Sequence, residues 1–195
     1  MRRGGARKVS RPVRARKVSG VQTILDGYQP ITADETADVA RIREIAGDPW
    51  RRDTPLHLTA SALIVHPSTR RVLLRWHERQ QAWLQVGGHG DPGESDPLAI
   101  ALREGEEESG LTDLSPWPDS ALRHVSIVKV TPSKAKGEPA HEHADLRYFL
   151  ATAEPDAIRP ENPAADLRWL TLEDAVAFIA NDSLAETLRR LAGVL

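Results

Sequence analysis

The segment Gly87–Leu111, GGHGDPGESDPLAIALREGEEESGL, joins a glycine-rich turn to a strongly acidic stretch. Seven of its residues are acids, and only Arg103 is basic. Pro97 suits the first turn of a helix, and Ser95 or Asp96 is a candidate N-cap. Gly110 is typical of a helix end. The segment therefore predicts a turn followed by one helix over residues 97–109.

The acids near the end of this helix are arranged in an unusual way. Glu107 and Glu108 follow Glu104 by three and four residues, so the three lie on one side of the helix, whereas Glu106 points elsewhere. Such like charges repel, and the end of a helix disfavours anions. A divalent cation would remove this conflict, and oxygen ligands favour Mg²⁺, with Mn²⁺ as an alternative. A solvated acidic helix end is the other interpretation.

The rest of the chain predicts an α/β fold with one mixed sheet covered by helices on its faces. Sequences typical of capping boxes begin two helices, at Thr32–Glu35 and Ser183–Glu186, and the first of these helices should run over 33–46. A shorter helix is expected at Val21–Asp26. Apolar and alternating runs predict strands at His57–Val65, Val72–Glu78, Ala82–Val86, Arg123–Val130, His143–Ala153 and Leu167–Leu170.

Charge divides the chain into a basic tail and an acidic body. Residues 1–18 hold eight of the 26 basic residues and no acid, so the remaining 18 basic residues face 28 acids. We predict a disordered tail over 1–20 and a single domain over 21–195, which begins with a helical extension over about 21–55. The tail is typical either of a solvated extension or of an arm for nucleic acid.

Composition excludes several classes of protein. The chain has no cysteine, which excludes disulfides, thiolate metal sites and a cysteine nucleophile. It has no apolar run long enough to cross a membrane, and residues 1–18 lack the apolar centre of a secretory signal. We therefore expect a cytoplasmic protein without a membrane partner.

The acidic segment resembles the Nudix box, G-x5-E-x7-R-E-U-x-E-E-x-G-U, in which U is a bulky aliphatic residue. Gly88 is followed after five residues by Glu94, and Arg103–Leu111 reads REGEEESGL. All the polar positions of the box match. The chain departs from the family in three respects. Eight residues rather than seven separate Glu94 from the arginine, Gly105 replaces an aliphatic residue, and Val86 stands where many members have proline before the paired glycines.

The resemblance implies a Nudix-type α/β/α sandwich with a mixed central sheet. It implies a Mg²⁺-dependent hydrolase that cleaves a diphosphate linkage in a nucleoside diphosphate derivative. The implied metal ligands are the carboxylates of Glu104, Glu107 and Glu108 and the carbonyl of Gly87. Glu94 and Arg103 would complete the catalytic set as a pair that fixes the turn against the helix. The proton acceptor is either one of these glutamates or a carboxylate in a later loop.

Other residues are candidates for the substrate site. His89 lies inside the glycine turn, and Glu142 or Glu138 occupies the region where the family often supplies a late carboxylate. Tyr148 and Trp83 could stack on a base, although aromatic residues within strands are more often part of a core. Two loops, 116–123 and 132–139, are expected to select the substrate.

Several alternatives remain open at the level of sequence. His141 and His143 alternate as on a strand, so they could form part of a zinc site, line the substrate cleft or lie on the surface. The enzyme could instead remove 5′ pyrophosphate from RNA with the help of the basic tail. The domain could also sense a nucleotide without cleaving it. The segment 21–55 could cover its own domain or a partner in a homodimer.

Overall fold

The computed structural model describes residues 20–133, 137–179 and 181–195, so the predicted basic tail lies outside the described residues. Within these ranges, eight strands form one sheet and five α-helices pack against it. The strands are β1 Leu56–His66, β2 Arg71–His77, β3 Ala82–Leu84, β4 Val86–Gly88, β5 Ser115–Pro116, β6 His124–Val130, β7 His141–Ala151 and β8 Leu167–Thr171. The helices are α1 Gly20–Gly27, α2 Ala33–Arg43, α3 Pro97–Ser109, α4 Leu172–Phe178 and α5 Asp182–Ala192.

The sheet is mixed, as the sequence predicts. Its strand order is β3-β2-β1-β7-β5, and β4, β6 and β8 pair with β1, β7 and β2 respectively. The long central pair β1–β7 is parallel and runs from Leu56 opposite Glu142 to Val65 opposite Ala151. The other pairs are antiparallel. No helix in the described ranges combines the length and apolarity needed to cross a membrane.

The two faces of the sheet carry separate cores, because successive side chains of a strand point to opposite faces. On the first face, even-numbered residues of β1 such as Ala60 and Ile64 pack with α1, α2 and α3. On the second face, Leu63 and Val65 pack with α4 and α5. The molecule therefore has three layers, which confirms the expected α/β/α sandwich.

The N-terminal helices cover an edge of their own sheet. The carboxylate of Glu35 in α2 accepts a hydrogen bond from the amide of Val125 in β6 at 3.1 Å, and that of Asp38 accepts one from Ile127 at 2.8 Å. These amides would otherwise form an unsatisfied strand edge. The extension over 21–55 thus packs within the same chain.

Several boundaries differ from those expected; β1 and β7, for example, begin at Leu56 and His141 rather than at residues 57 and 143. Helix α2 ends at Arg43 rather than at residue 46, and the predicted strand over 82–86 is divided in two at Gln85, whose amide donates to Asp145 at 3.1 Å. Helix α5 is capped by Asn181, not by Ser183, because the Asn181 side chain accepts a hydrogen bond from the third amide after it. The Ser183 hydroxyl instead donates to Ser126 in β6.

Candidate functional site

Helix α3 carries the acidic residues and begins and ends as the sequence predicts. The Asp96 side chain caps its first turn, and Gly110 ends it with a φ of 71°. A Cβ atom at Gly105 would lie 3.0 Å from a methyl of Leu114 and 3.4 Å from one of Leu150. Neighbouring leucines therefore occupy the space that an aliphatic residue would fill at this position of the box.

Two glycines of β4 bring its backbone into contact with the helix carboxylates. Gly87 has a φ of 148°, and a Cβ there would lie 2.3 Å from the Cβ of Ser61. Its amide donates to Glu108 at 2.9 Å. A Cβ at Gly88 would lie 2.6 Å from the carboxylate of Glu104. Only glycine permits both approaches, which explains the paired glycines at this turn.

Arg103 connects the turn to the helix. Its Nη2 donates to Glu94 and to the carbonyl of His89, both at 2.9 Å, and its Nη1 donates to Glu104 and Glu107, both at 3.0 Å. The predicted pair of Glu94 and Arg103 is therefore present despite the additional residue between them.

Two of the acidic side chains are held in environments that oppose their ionisation. Burial raises the pKa of Glu104, although the adjacent Arg103 lowers it. Burial also raises the pKa of Glu108 to about 7, despite the opposing effects of the Gly87 amide and Arg75. The glutamate face, defined as Glu104, Glu107 and Glu108, is thus a place where negative charge is concentrated and incompletely compensated.

The carboxylates of the glutamate face share one side of α3 but do not converge on one point. Two of them reach Arg103, and Glu108 reaches the Gly87 amide and Arg75. Across the described ranges, the three candidate ligand atoms that do lie within 4.8 Å of one another belong to His57, His89 and His143. The assignment of the glutamate face as metal ligands therefore remains a prediction.

Arg75 and Glu161 belong to this region and were not predicted. Arg75 of β2 lies 3.3 Å from Glu108 and 2.9 Å from Glu161, and its side chain is only 12% exposed. Glu161 follows β7 in the connection to β8. Arg75 could have been noticed in the sequence, because it is a charged residue within the largely apolar strand sequence VLLRWH. No local sequence pattern distinguishes Glu161.

Glu142 lies away from the glutamate face. It pairs with Arg41 of α2 and stands opposite Leu56 in the sheet. Along β1, Leu56 is four residues from Ala60, which stands opposite Gly88. At 3.3 Å per residue this separates the two positions by about 13 Å. The structure thus places Glu142 beside the N-terminal extension rather than beside the acidic helix.

The aromatic candidates are occupied by the protein itself. Tyr148 is 2% exposed within the first core, so it is a core residue and not a substrate contact. Trp83 packs against two other aromatic rings, and the guanidinium of Arg168 lies 4.7 Å from its ring centroid. Glu138 pairs with Arg79 at 2.8 Å. Because their surroundings already engage them, these residues do not add to the glutamate face.

His89 belongs to a cluster of four imidazoles on the second face of the sheet. The cluster, named here the histidine cluster, comprises His57, His89, His141 and His143, whose ring centroids lie 4.7–5.3 Å apart in the contacting pairs. The sequence had suggested only the pair on β7. The structure adds one residue from β1 and one from the glycine turn.

Hydrogen bonds fix part of this cluster. His57 Nε2 lies 3.1 Å from His89 Nε2, and His141 Nε2 lies 3.0 Å from His143 Nε2. Burial is the main cause that lowers the pKa of His89 to about 4, and the nearby Arg52 adds to it. Burial also lowers the pKa of His143 to about 3, and proximity to the other imidazoles further disfavours a positive charge there. These imidazoles are therefore neutral near pH 7.

Comparison with known proteins agrees with the fold and with the acidic motif. A family model described as the NUDIX domain matches residues 55–191. The geometry defines the class of the protein as a three-layer α/β/α domain with a glycine turn and an acidic helix. The chain belongs to the Nudix family.

Two curated relatives cover part of the chain. A probable DHNTP pyrophosphohydrolase of Lactococcus lactis is 32% identical over 108 residues, which are 55% of this chain and 61% of that protein. A bis(5'-nucleosyl)-tetraphosphatase [asymmetrical] of Caenorhabditis elegans is 28% identical over 114 residues, 58% of this chain and 75% of that protein. The chain thus spans less than two thirds of the first relative.

Solved structures share the fold. The C. elegans Ap4A hydrolase in a binary complex aligns with a TM-score of 0.53 at 22% identity, over 70% of this chain and 95% of that one. The Escherichia coli dihydroneopterin triphosphate pyrophosphohydrolase aligns with a TM-score of 0.54 at 18% identity, over 68% and 92%. At these identities the similarity establishes the fold alone.

Proposed function

We propose that this chain is a Mg²⁺-dependent hydrolase that cleaves a diphosphate linkage in a nucleoside diphosphate derivative. One observation carries the proposal, namely the contact between the glutamate face and the glycine turn. The Gly87 amide donates a hydrogen bond to Glu108. The carboxylate of Glu104 occupies the space that a side chain at Gly88 would need. Membership of the Nudix family and the names of the two curated relatives support this type of reaction.

The residues present suit a hard divalent cation. Mg²⁺ prefers oxygen ligands, and the glutamate face offers three carboxylates. The carbonyl of Gly87, whose amide contacts Glu108, is a further candidate ligand. The pKa of Glu108 is raised mainly by burial, and the neighbouring Glu104 and Glu161 add to it, so a bound cation would supply positive charge that the carboxylate lacks. Glu107 is 56% exposed and has the freedom to turn towards an ion. A bound Mg²⁺ would screen phosphate charge and lower the pKa of a water ligand.

The remaining residues position these groups. Arg103 and Glu94 hold the turn against α3, so that Glu104 stays beside Gly88. Arg75 lies between two carboxylates, Glu108 and Glu161, which are our candidates for the group that accepts a proton from the attacking water. The variants Glu108→Gln and Glu161→Gln distinguish the two candidates. The proton acceptor is the residue whose variant has a lower kcat but the same apparent affinity for Mg²⁺ as wild type.

The names of the relatives narrow the choice of substrate. One is named for dihydroneopterin triphosphate and the other for bis(5'-nucleosyl) tetraphosphates, so both names denote chains of three or more phosphates. We therefore propose a substrate in which such a chain is attached to a nucleoside or a similar heterocycle. These two compounds should precede ADP-ribose, NADH, coenzyme A and nucleotide sugars in a hydrolysis screen.

The test is that screen with Mg²⁺, and with Mn²⁺ in parallel, on wild type and three variants. Glu107→Gln and Glu108→Gln remove charge from the glutamate face, whereas Glu106→Gln removes it from an exposed position of the same helix. We expect turnover to fall in the first two and to persist in the third. Undiminished turnover in the first two would contradict the metal assignment. Nucleotide binding without turnover of any compound would favour a sensing domain.

A further inference from the structure

We propose that His57, His89 and His143 form a zinc site that is separate from the glutamate face. The three imidazoles come from β1, the glycine turn and β7, and their candidate ligand atoms lie within 4.8 Å of one another. Since the ligands come from three distant segments, the site exists only in the folded chain. The proposal is independent of the proposed hydrolytic function.

The separation of the ring nitrogens is close to that of a zinc site. Zn²⁺ binds imidazole nitrogen at about 2.0–2.1 Å in tetrahedral geometry, which places two such nitrogens about 3.3 Å apart. The Nε2 atoms of His57 and His89 are 3.1 Å apart. A small movement of the His143 ring would complete a set of three ligands and leave a fourth position for water.

Hydrogen bonds outside the cluster already orient the first ligand. Nδ1 of His57 lies 2.9 Å from the carbonyl of Thr54, so it carries the proton and donates it there. Its Nε2 therefore presents a lone pair to the centre of the cluster. A second nitrogen that donates to a backbone carbonyl is the usual arrangement of a metal-binding histidine. His141 has the same arrangement with the carbonyl of Pro139 at 2.9 Å.

The protons of the cluster can be redistributed without a change of charge. Nδ1 of His57 and of His141 donates to a backbone carbonyl, so in the neutral rings Nε2 carries a lone pair. The facing Nε2 atoms of His89 and His143 would then carry the proton. On binding zinc, His89 and His143 would carry the proton on Nδ1 instead and turn a lone pair to the ion. Each ring stays neutral, so the change is one of tautomer.

The chemistry of the ligands favours zinc over magnesium. Imidazole nitrogen suits Zn²⁺, Cu²⁺ and Ni²⁺, whereas Mg²⁺ prefers oxygen. Zn²⁺ has no geometric preference from its d electrons and binds sets of three histidines. His57 is 1% exposed and the chain has no cysteine, so the site would hold the ion through nitrogen in a largely dry environment.

The proposed zinc site and the glutamate face lie on opposite faces of the sheet. The carboxylate of Glu104 fills the place of a side chain at Gly88, on the face that α3 covers. His89 is the next residue, so its side chain points to the other face, where His57 and His143 also lie. Zinc would therefore fasten the glycine turn to β1 and β7 from behind the glutamate face.

The experiment uses the full chain after removal of metals with a chelator. It is dialysed against Zn²⁺ in the presence of millimolar Mg²⁺, and bound zinc is measured by elemental analysis. We expect one zinc per chain, and with Co²⁺ the visible absorption of a four-coordinate nitrogen site. At a free zinc concentration about 100 times Kd, the Tm should rise by about 5–10 °C.

Substitutions locate the ion. His57→Gln, His89→Gln and His143→Gln should each weaken zinc binding by about 100-fold or more and remove the rise in Tm. His66→Gln is the matched control, because His66 lies at the other end of β1 with its ring bonded to Thr69. It should bind zinc as wild type does. Circular dichroism of each chain without zinc establishes that the variants fold.

Two results would overturn the proposal. One is the absence of bound zinc at millimolar Mg²⁺, which would leave a hydrogen-bonded histidine cluster. The other is zinc that persists in all three folded histidine variants but is lost in Glu107→Gln, which would place the ion on the glutamate face. Neither result depends on finding a substrate.

Discussion

Two poorly exposed glutamates of this chain, Glu35 and Glu108, have pKa values that are shifted in opposite directions. Burial raises the pKa of both, but the carboxylate of Glu35 receives hydrogen bonds from Arg190, Tyr28 and the amides of two other residues. These bonds outweigh the burial and lower its pKa to about 2. Glu108 has one amide and the more distant Arg75, and its pKa rises to about 7.

The difference separates a carboxylate that stabilises the fold from one that we propose belongs to a functional site. Glu35 joins α2 to α5 and to the edge of β6, and its negative charge is fully compensated by its partners. Glu108 retains a demand for positive charge that nearby protein groups do not meet. Perturbed groups of the second kind gather at functional sites, where stability is given up for binding or catalysis.

The largest expected effect is on catalysis. Glu108→Gln should lower kcat by about 10²–10⁴-fold with the best substrate of the screen, because a charge needed for metal binding or proton transfer is lost. Glu35→Gln should change kcat by less than about threefold, since it contacts no part of the glutamate face. Steady-state kinetics at saturating Mg²⁺ measures both. Equal losses in the two variants would remove the distinction between them.

The next effect is on stability and concerns Glu35→Gln. The substitution leaves the buried Arg190 without its main anionic partner, so the free energy of unfolding at pH 7 should fall by about 2–4 kcal/mol. The folded pKa of about 2 lies below the ordinary value of 4.5. The stabilisation is therefore present above pH 4.5 and is lost as the pH falls towards 2.

Urea unfolding of wild type and Glu35→Gln at pH 7 and pH 3 tests this expectation. The difference between the two proteins should be largest at pH 7 and smaller at pH 3, because other titrating groups are common to both. A difference that stays constant over this range would show that the charge of Glu35 contributes nothing to the fold.

Part of the candidate site could be predicted from spacing within one segment of the sequence. Helix α3, the pair of Glu94 and Arg103, and the common side of the three helix glutamates follow from spacing within one segment, and a helix converts spacing directly into geometry. Glu35 was predicted only as part of a capping box. Thr32 does cap α2, but the carboxylate of Glu35 reaches Arg190, which is 155 residues away.

Contacts between distant segments account for what the sequence missed. Arg75 and Glu161 are 86 residues apart and meet because β2 and the connection to β8 lie beside α3. His57 and His89 are 32 residues apart and meet because β1 pairs with β4. Neither pair has a local pattern, since the partners are selected by the register of the sheet.

The ionised form of Glu108 should lower the free energy of unfolding. Its folded pKa of about 7 lies above the ordinary 4.5, so the ionised form destabilises the fold increasingly as the pH rises from 4.5 through 7. Without divalent cations, Glu108→Gln should be more stable than wild type at pH 8, by about 1–3 kcal/mol. Its amide can still accept the hydrogen bond of Gly87.

Thermal and urea unfolding in a chelator measure this difference. Glu106→Gln, on the exposed side of the same helix, should differ from wild type by less than about 0.5 kcal/mol. Addition of Mg²⁺ should stabilise wild type more than Glu108→Gln and so narrow the gap. If Glu108→Gln were less stable than wild type at pH 8, its carboxylate would be a scaffold group of the same kind as Glu35.

The smallest expected effect concerns the packing beneath the glutamate face. Gly105→Ala gains up to about 1 kcal/mol of helix propensity, but its Cβ would lie 3.0 Å from a methyl of Leu114, which must move by a few tenths of an ångström. The net change in the free energy of unfolding should stay below about 1 kcal/mol. Gly105→Leu restores a bulky aliphatic and should instead destabilise by about 1–3 kcal/mol, because Leu114 and Leu150 already fill the space. If Gly105→Leu instead raised the free energy of unfolding, the space beside Gly105 would be open rather than filled.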